Sequence, residues 1–222
     1  MCGRYTLVQT EQIAERFQVA DAQLSLSPRY NVAPSQSMPV VVRNSPNRLV
    51  EMQWGLIPSW SHEPRTKFST INARAETLAT SAVFRGPFKS RRCLVPASGF
   101  YEWRQLGKGK QPYCIQLKDG ELFAFAGLYD VWRDREGNEL QSFTIITTTP
   151  NDMVATIHNR MPVILRREDE DTWLDKEADP EALKSLLTAY PAEAMQAYPV
   201  SRAVNSPAND DAELMKEISG DA

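Results

Sequence analysis

The sequence predicts an α+β fold: a curled or barrel-like antiparallel β-sheet core with helices at its periphery. Strand-like runs recur through the middle of the chain at 93–95, 100–103, 113–117, 122–132 and 142–148. Turn signals, Gly107-Lys108-Gly109 and Gly137-Asn138, punctuate them. Helical patterns are short and fall between or outside these runs, the arrangement expected when helices pack around a sheet.

Element by element, Thr10 is placed to cap a short helix carrying Ile13, Ala14 and Phe17 on one face. Arg29-Tyr30-Asn31-Val32-Ala33-Pro34 reads as extended, since Pro28 and Pro34 oppose helix on either side. Residues 39–43 and 49–54 form a predicted hairpin across Asn44-Ser45-Pro46-Asn47. A loop with Trp60 near its start runs to Ile71 as a candidate site wall, and a weak helix over 73–85 is expected to break at Gly86-Pro87. After the run of strands come a short helix over 152–158, a strand over 163–165, an amphipathic helix over 180–190 with Leu183, Leu186 and Leu187, and a strand over 196–200. The domain is expected to span 1–206, with 207–222 a polar, frayed tail.

With 222 residues and 42% hydrophobic content, the chain can bury one substantial core. Cys2, Cys93 and Cys114 form no Cys-x-x-Cys pair, so neither a disulfide framework nor a zinc knuckle is signalled, and a reducing cytoplasm fits. No residue cluster signals a metal or another cofactor, and no long apolar run signals a membrane span. A monomer is the simplest expectation. The net charge of −3 argues against a generally basic nucleic-acid binder. That sum conceals a basic stretch (Arg65, Lys67, Arg74, Arg85, Lys89, Arg91, Arg92) and an acidic one from Glu168 to Glu181, the latter read as a solvated helical face.

The amino terminus is Met1-Cys2-Gly3-Arg4. Removal of Met1 leaves a cysteine whose thiol and α-amine sit on adjacent carbons, with ordinary pKa values of about 8.5 and ~8. Such a 1,2-aminothiol condenses with an aldehyde to a Schiff base, which the sulfur closes to a thiazolidine; the thiol alone can attack an acyl carbon. Alone, the tripeptide is also compatible with an ordinary start.

Further polar and aromatic signals sit in Ile71-Asn72-Ala73-Arg74-Ala75-Glu76, Gly99-Phe100-Tyr101-Glu102-Trp103, Ile157-His158-Asn159-Arg160-Met161-Pro162 and Pro199-Val200-Ser201-Arg202-Ala203-Val204. Together with Cys2-Gly3-Arg4 and residues 29–34, this ordered set resembles the SOS response-associated peptidase (SRAP) family, whose members form DNA-protein crosslinks at abasic sites. The resemblance covers residue 2 to about residue 205 and implies an SRAP-like fold. It implies capture of the open-chain abasic aldehyde in single-stranded DNA by Cys2, with no cofactor, and a peptidase activity that removes the amino-terminal residue or extension with the same thiol. It makes Glu102 the acid/base group for ring opening and His158 a second one, and Asn72 the amide that orients the amine or a sugar hydroxyl. Arg4, Arg74 and Arg160 become phosphate contacts, Asn31 and Pro34 shape the pocket floor, and Trp60 and Trp103 stack on exposed bases.

Each residue has a plainer reading in isolation: Glu102 a strand carboxylate paired with an arginine, His158 a helix-end hydrogen-bonding residue, Asn72 a turn former, and the arginines surface ion pairs. His62 matches no motif, and Trp54 reads as core. Two other functions compete. An amino-terminal-nucleophile amidohydrolase of the glutamine amidotransferase type shares the Met-Cys-Gly start but continues differently. A noncovalent single-stranded DNA binder would use the arginines and tryptophans alone and would have no need of two acid/base groups.

Overall fold

A computed structural model describes residues 2–20, 25–44, 46–64, 66 and 69–219. Met1, Arg65 and Lys67, which carry the terminal-processing and part of the basic-segment expectations, lie outside these residues. The strands are β1 (Tyr5–Leu7), β2 (Arg29–Val32), β3 (Ser37–Val42), β4 (Arg48–Trp54), β5 (Asn72–Arg74), β6 (Arg92–Ala97), β7 (Gly99–Leu106), β8 (Gly109–Leu117), β9 (Phe123–Arg133), β10 (Glu139–Thr148), β11 (Met161–Pro162) and β12 (Met195–Pro199). Short helices α1 (Ile13–Arg16), α2 (Arg85–Ser90), α3 (Asp152–Ala155), α4 (Glu170–Leu174) and α5 (Pro180–Ser185) lie between them.

One sheet runs β12-β8-β7-β1-β2; the other runs β11-β10-β4-β3-β6-β9, with β5 attached to β10. Because β9 also pairs with β10, from Glu139↔Arg133 to Ile145↔Gly127, the second sheet closes on itself and leaves few open edges. The fold is therefore the expected α+β barrel type, except that β10 runs parallel to β4 and β5. Tyr5 meets Trp54 edge-on at 5.3 Å and Phe125 at 5.9 Å, and Phe100 meets Phe125 at 6.0 Å, so aromatic rings join β1 and β7 to the barrel. β6 is buried along its whole length, and it packs so closely on β9 that a Cβ on Gly127 would lie 2.8 Å from Cys93 Sγ.

Several local expectations change. Gln9, not Thr10, occupies the cap position before the first turn and makes no side-chain cap bond, while Thr10 lies inside that turn and its Oγ1 donates to the Leu26 carbonyl. Residues 72–74 are strand rather than helix, because β10 offers a parallel edge and Ala73 is buried against it. Gly86-Pro87 opens α2 instead of ending a helix, since a first turn does not require the missing proline N–H. The 163–165 segment makes a single bridge, Phe125↔Ile164. The acidic stretch is not all solvated: Glu170 is buried in a bidentate pair with Arg16 at 2.8 and 2.7 Å. Residues 207–219 do not fray. They dock on β7 and β8, where Val200, Val204 and Leu214 cover Tyr101 and Cys114 in a second apolar cluster. Among the described residues no helix is long and apolar enough to cross a membrane.

Candidate functional site

Cys2-Gly3-Arg4 prolongs β1 along β7, and the Tyr101 N–H donates to the Arg4 carbonyl at 3.0 Å. Cys2 is fully buried, and its Sγ lies 3.8 Å from that same carbonyl. Burial pushes the thiol pKa up, and the neighbouring Glu102 carboxylate adds to the effect. The resting sulfur is therefore a neutral thiol that needs a proton acceptor.

Glu102 occupies β7 opposite Tyr113, and strand alternation separates it from Tyr101 and Trp103 on the other face. It is buried, and burial pushes its carboxyl up to about 7. At that value both protonation states are populated near neutrality, as an acid/base group requires. Lys110, beside the β7–β8 turn, acts electrostatically on both Glu102 and His158, which places the two on one side of the molecule.

His158 follows α3, whose cap Asn151 accepts from the Val154 N–H at 2.9 Å. Its own N–H donates to Val154 O at 2.8 Å, and the Arg160 N–H donates to His158 Nδ1 at 3.1 Å. The same Nδ1 lies 3.3 Å from the Arg160 carbonyl, so the Arg160 backbone holds the ring in place. Burial lowers its pKa and favours the neutral form.

The carboxyl-terminal part of β10 gathers another group. β5 runs beside it with Ile145↔Asn72 and Thr147↔Arg74, and β11 lies on it with Thr147↔Pro162. Asn72 Nδ2 donates to Ile145 O at 3.4 Å, while its Oδ1 is buried without a hydrogen-bond partner among the described residues, an acceptor in waiting. Arg160 donates to both Glu76 oxygens at 2.6 and 3.0 Å and to Thr147 O at 2.6 Å. Glu76, whose partner Arg160 holds its carboxyl below the ordinary range, received no role from sequence although it closes the Asn72 motif.

The other predicted contacts are distributed differently. Arg74 is exposed, and among the described residues Trp60 is the one exposed large hydrophobic side chain, at 62%. Its loop is anchored by Trp132 Nε1 donating to Ser61 O and by Ser59 N–H donating to Asp130. Pro34 is half-buried after β2. Arg4 turns to the chain itself, donating to Asn31 Oδ1 at 2.9 Å, Val204 O at 2.7 Å and Asn205 O at 3.0 Å. Asn31 is fully buried and gives its amide to Val204, Ser206 and Asn209 carbonyls, and Trp103 Nε1 donates to Asn205 Oδ1. Among the described residues, no group of three or more His, Cys, Asp or Glu is placed to hold a metal ion.

A family model described as SOS response associated peptidase (SRAP) matches residues 1–207. The chain is similar to the abasic site processing protein YoqW of Bacillus subtilis, 48% identical over 222 residues that cover 97% of this chain and 99% of that protein. It is also similar to the abasic site processing protein HMCES of Gallus gallus, at 36% identity over 86% of this chain and 66% of that protein. A crystal structure of a protein from Bacteroides thetaiotaomicron superposes with a TM-score of 0.88 at 30% identity, covering 98% of this chain and all of that one.

Proposed function

The chain belongs to the SOS response associated peptidase family, and from that premise we propose that it processes abasic sites in DNA by covalent capture in single strands. Removal of Met1 frees the Cys2 amine. That amine adds to the C1′ aldehyde of the opened sugar, the carbinolamine loses water to give a Schiff base, and Cys2 sulfur adds to the imine carbon. The thiol proton passes to nitrogen, so one water leaves overall and a thiazolidine remains. Glu102 donates and accepts the protons of ring opening and dehydration, His158 assists as a neutral imidazole, and Asn72 Oδ1 accepts from the amine or a sugar hydroxyl. Arg74, Arg4 and Arg160 contact phosphates, with Arg160 sharing its guanidinium with Glu76, and Trp60 and Trp103 stack on bases above the floor that Asn31 and Pro34 shape. The same thiol serves the self-processing peptidase step. The protein acts as a monomer in the cytoplasm, associated with the nucleoid in a bacterial cell, and shields the lesion.

The observation that carries this reading is the burial of Cys2 beside Glu102, a carboxyl held near neutrality. The test incubates protein of verified amino terminus with a single-stranded oligonucleotide bearing one abasic site. A denaturant-resistant adduct one water lighter than the sum of its parts is expected, and it is absent in Cys2→Ala. No adduct from protein with a free Cys2 terminus overturns the proposal, and glutamine hydrolysis in its place would select the amidohydrolase reading.

A further inference from the structure

The segment after β12 returns across the outer face of β7 and β8 as a strap. It starts with the Val200↔Glu217 bridge and Ile218 N–H donating to Pro199 O at 3.0 Å, and it is held down by Val204 and Leu214 against Tyr101. Its middle, around 204–210, is tied to the amino end of the chain by an unbroken series of hydrogen bonds. Asp210 Oδ1 accepts from the Tyr30 and Asn31 N–H groups at 2.6 and 2.8 Å, and Oδ2 accepts from Arg29 Nε at 2.5 Å. Asn31, so fixed, accepts from Arg4 Nη1 and clasps Val204, Ser206 and Asn209, while Arg4 itself grips Val204 and Asn205. The main-chain carbonyl of that arginine is the one facing Cys2 Sγ.

We propose that this strap is a latch for the amino-terminal nucleophile, and that Asp210 is a positioning residue which holds Cys2 in register through Asn31 and Arg4. The inference rests on the capture reading above and extends it to a residue beyond the 1–207 family match. The physical reason is the position of the nucleophile. A chain terminus frays unless tied down, and β1 pairs with β7 over only two residue pairs, Tyr5↔Phe100 and Thr6↔Gly99. Core packing holds the Cys2 side chain and the Tyr101 bond restrains the Arg4 backbone, while the strap adds a third restraint through the Arg4 side chain. Three donors converge on the Asp210 carboxylate, which joins the strap to β2 beside the Asn31 amide that clasps three strap carbonyls.

The test compares full-length wild type, Asp210→Ala and Asp210→Asn, each shown folded by thermal melting. Capture of the abasic oligonucleotide is measured at saturating and limiting DNA, and alkylation of Cys2 by iodoacetamide is measured without DNA and read by peptide mass spectrometry. A loosened nucleophile in Asp210→Ala lowers the saturating rate about tenfold, beyond any rise in half-saturating DNA that the loosened Arg4 and Asn31 cause, since a small misplacement of a reacting group costs up to about 100-fold. Cys2 alkylation rises by a similar factor as the buried sulfur becomes accessible. Asp210→Asn, which keeps an acceptor for the β2 N–H groups, falls between. Unchanged capture and alkylation in folded Asp210→Ala overturn the latch, as does a change in half-saturation alone. If Asp210→Ala does not fold, Asp210→Asn decides by the same readings. Should wild type form no adduct, the capture reading fails, and alkylation alone still decides the latch.

Discussion

At the scale of single residues, burial does most of the chemistry. Glu102 is an ordinary carboxylate by type, yet inside the β7–β8 wall its pKa rises from 4.5 to about 7 because charge is costly there. Glu102→Gln keeps the shape and removes the proton, so capture at neutral pH is expected to fall about 100-fold or more, the range for losing a general acid/base, measured as single-turnover adduct formation. The same shift makes stability depend on pH. Because folding raises this carboxyl, the folded chain binds its proton more tightly than the unfolded chain. That stabilisation is complete below the unfolded value of 4.5 and is lost as pH climbs through about 7. Glu102→Gln is neutral at every pH, so its melting temperature is expected to gain on wild type as thermal melts move from pH 5 to pH 8. Cys2 and His158 are legible in sequence as candidates, through position and rarity, but the thiol's need for a neighbouring base is not, since burial is not written in residue type.

At the scale of elements, strands were more legible than helices. The alternating and β-branched runs of β3, β4, β9 and β10 follow expected boundaries within a few residues. Helices of four to six residues carry too little periodicity to announce their ends, and 72–74 became a strand only because β10 supplied its partner. Glu170 shows the same limit. Its acidic neighbours suggested a wet face, whereas the fold sets Arg16, distant in sequence, against it. Glu170→Ala leaves that half-buried guanidinium with only the Leu122 carbonyl as a hydrogen-bond partner, with an expected loss of about 1–3 kcal/mol by chemical denaturation. Gly127→Ala tests the closed barrel: its new methyl meets Cys93 Sγ and Val95 Cγ2 at 2.8 Å, and overpacking of this kind costs about 1–3 kcal/mol.

For the whole molecule, the overall charge of −3 is a poor guide to the side proposed to face DNA, because the proposed phosphate contacts Arg4, Arg74 and Arg160 come from three distant parts of the chain. Three such contacts predict a noncovalent salt slope near −2 in log K against log[salt] for single strands, and Arg74→Ala is expected to reduce it by about 0.7, measured with an unreactive abasic analogue. What the amino-acid order determined unaided was the α+β class and the motifs around Cys2, Asn72, Glu102 and His158 that carry the family resemblance, since these depend on residue type and local pattern. Only tertiary structure decided that Glu76 takes Arg160, that Arg4 and Asn31 hold the strap, and that Asp210 in the supposed tail pins β2. Each of these is a pairing between groups far apart along the chain. Local sequence carries no record of which distant donor will meet which acceptor until sheet closure brings them together.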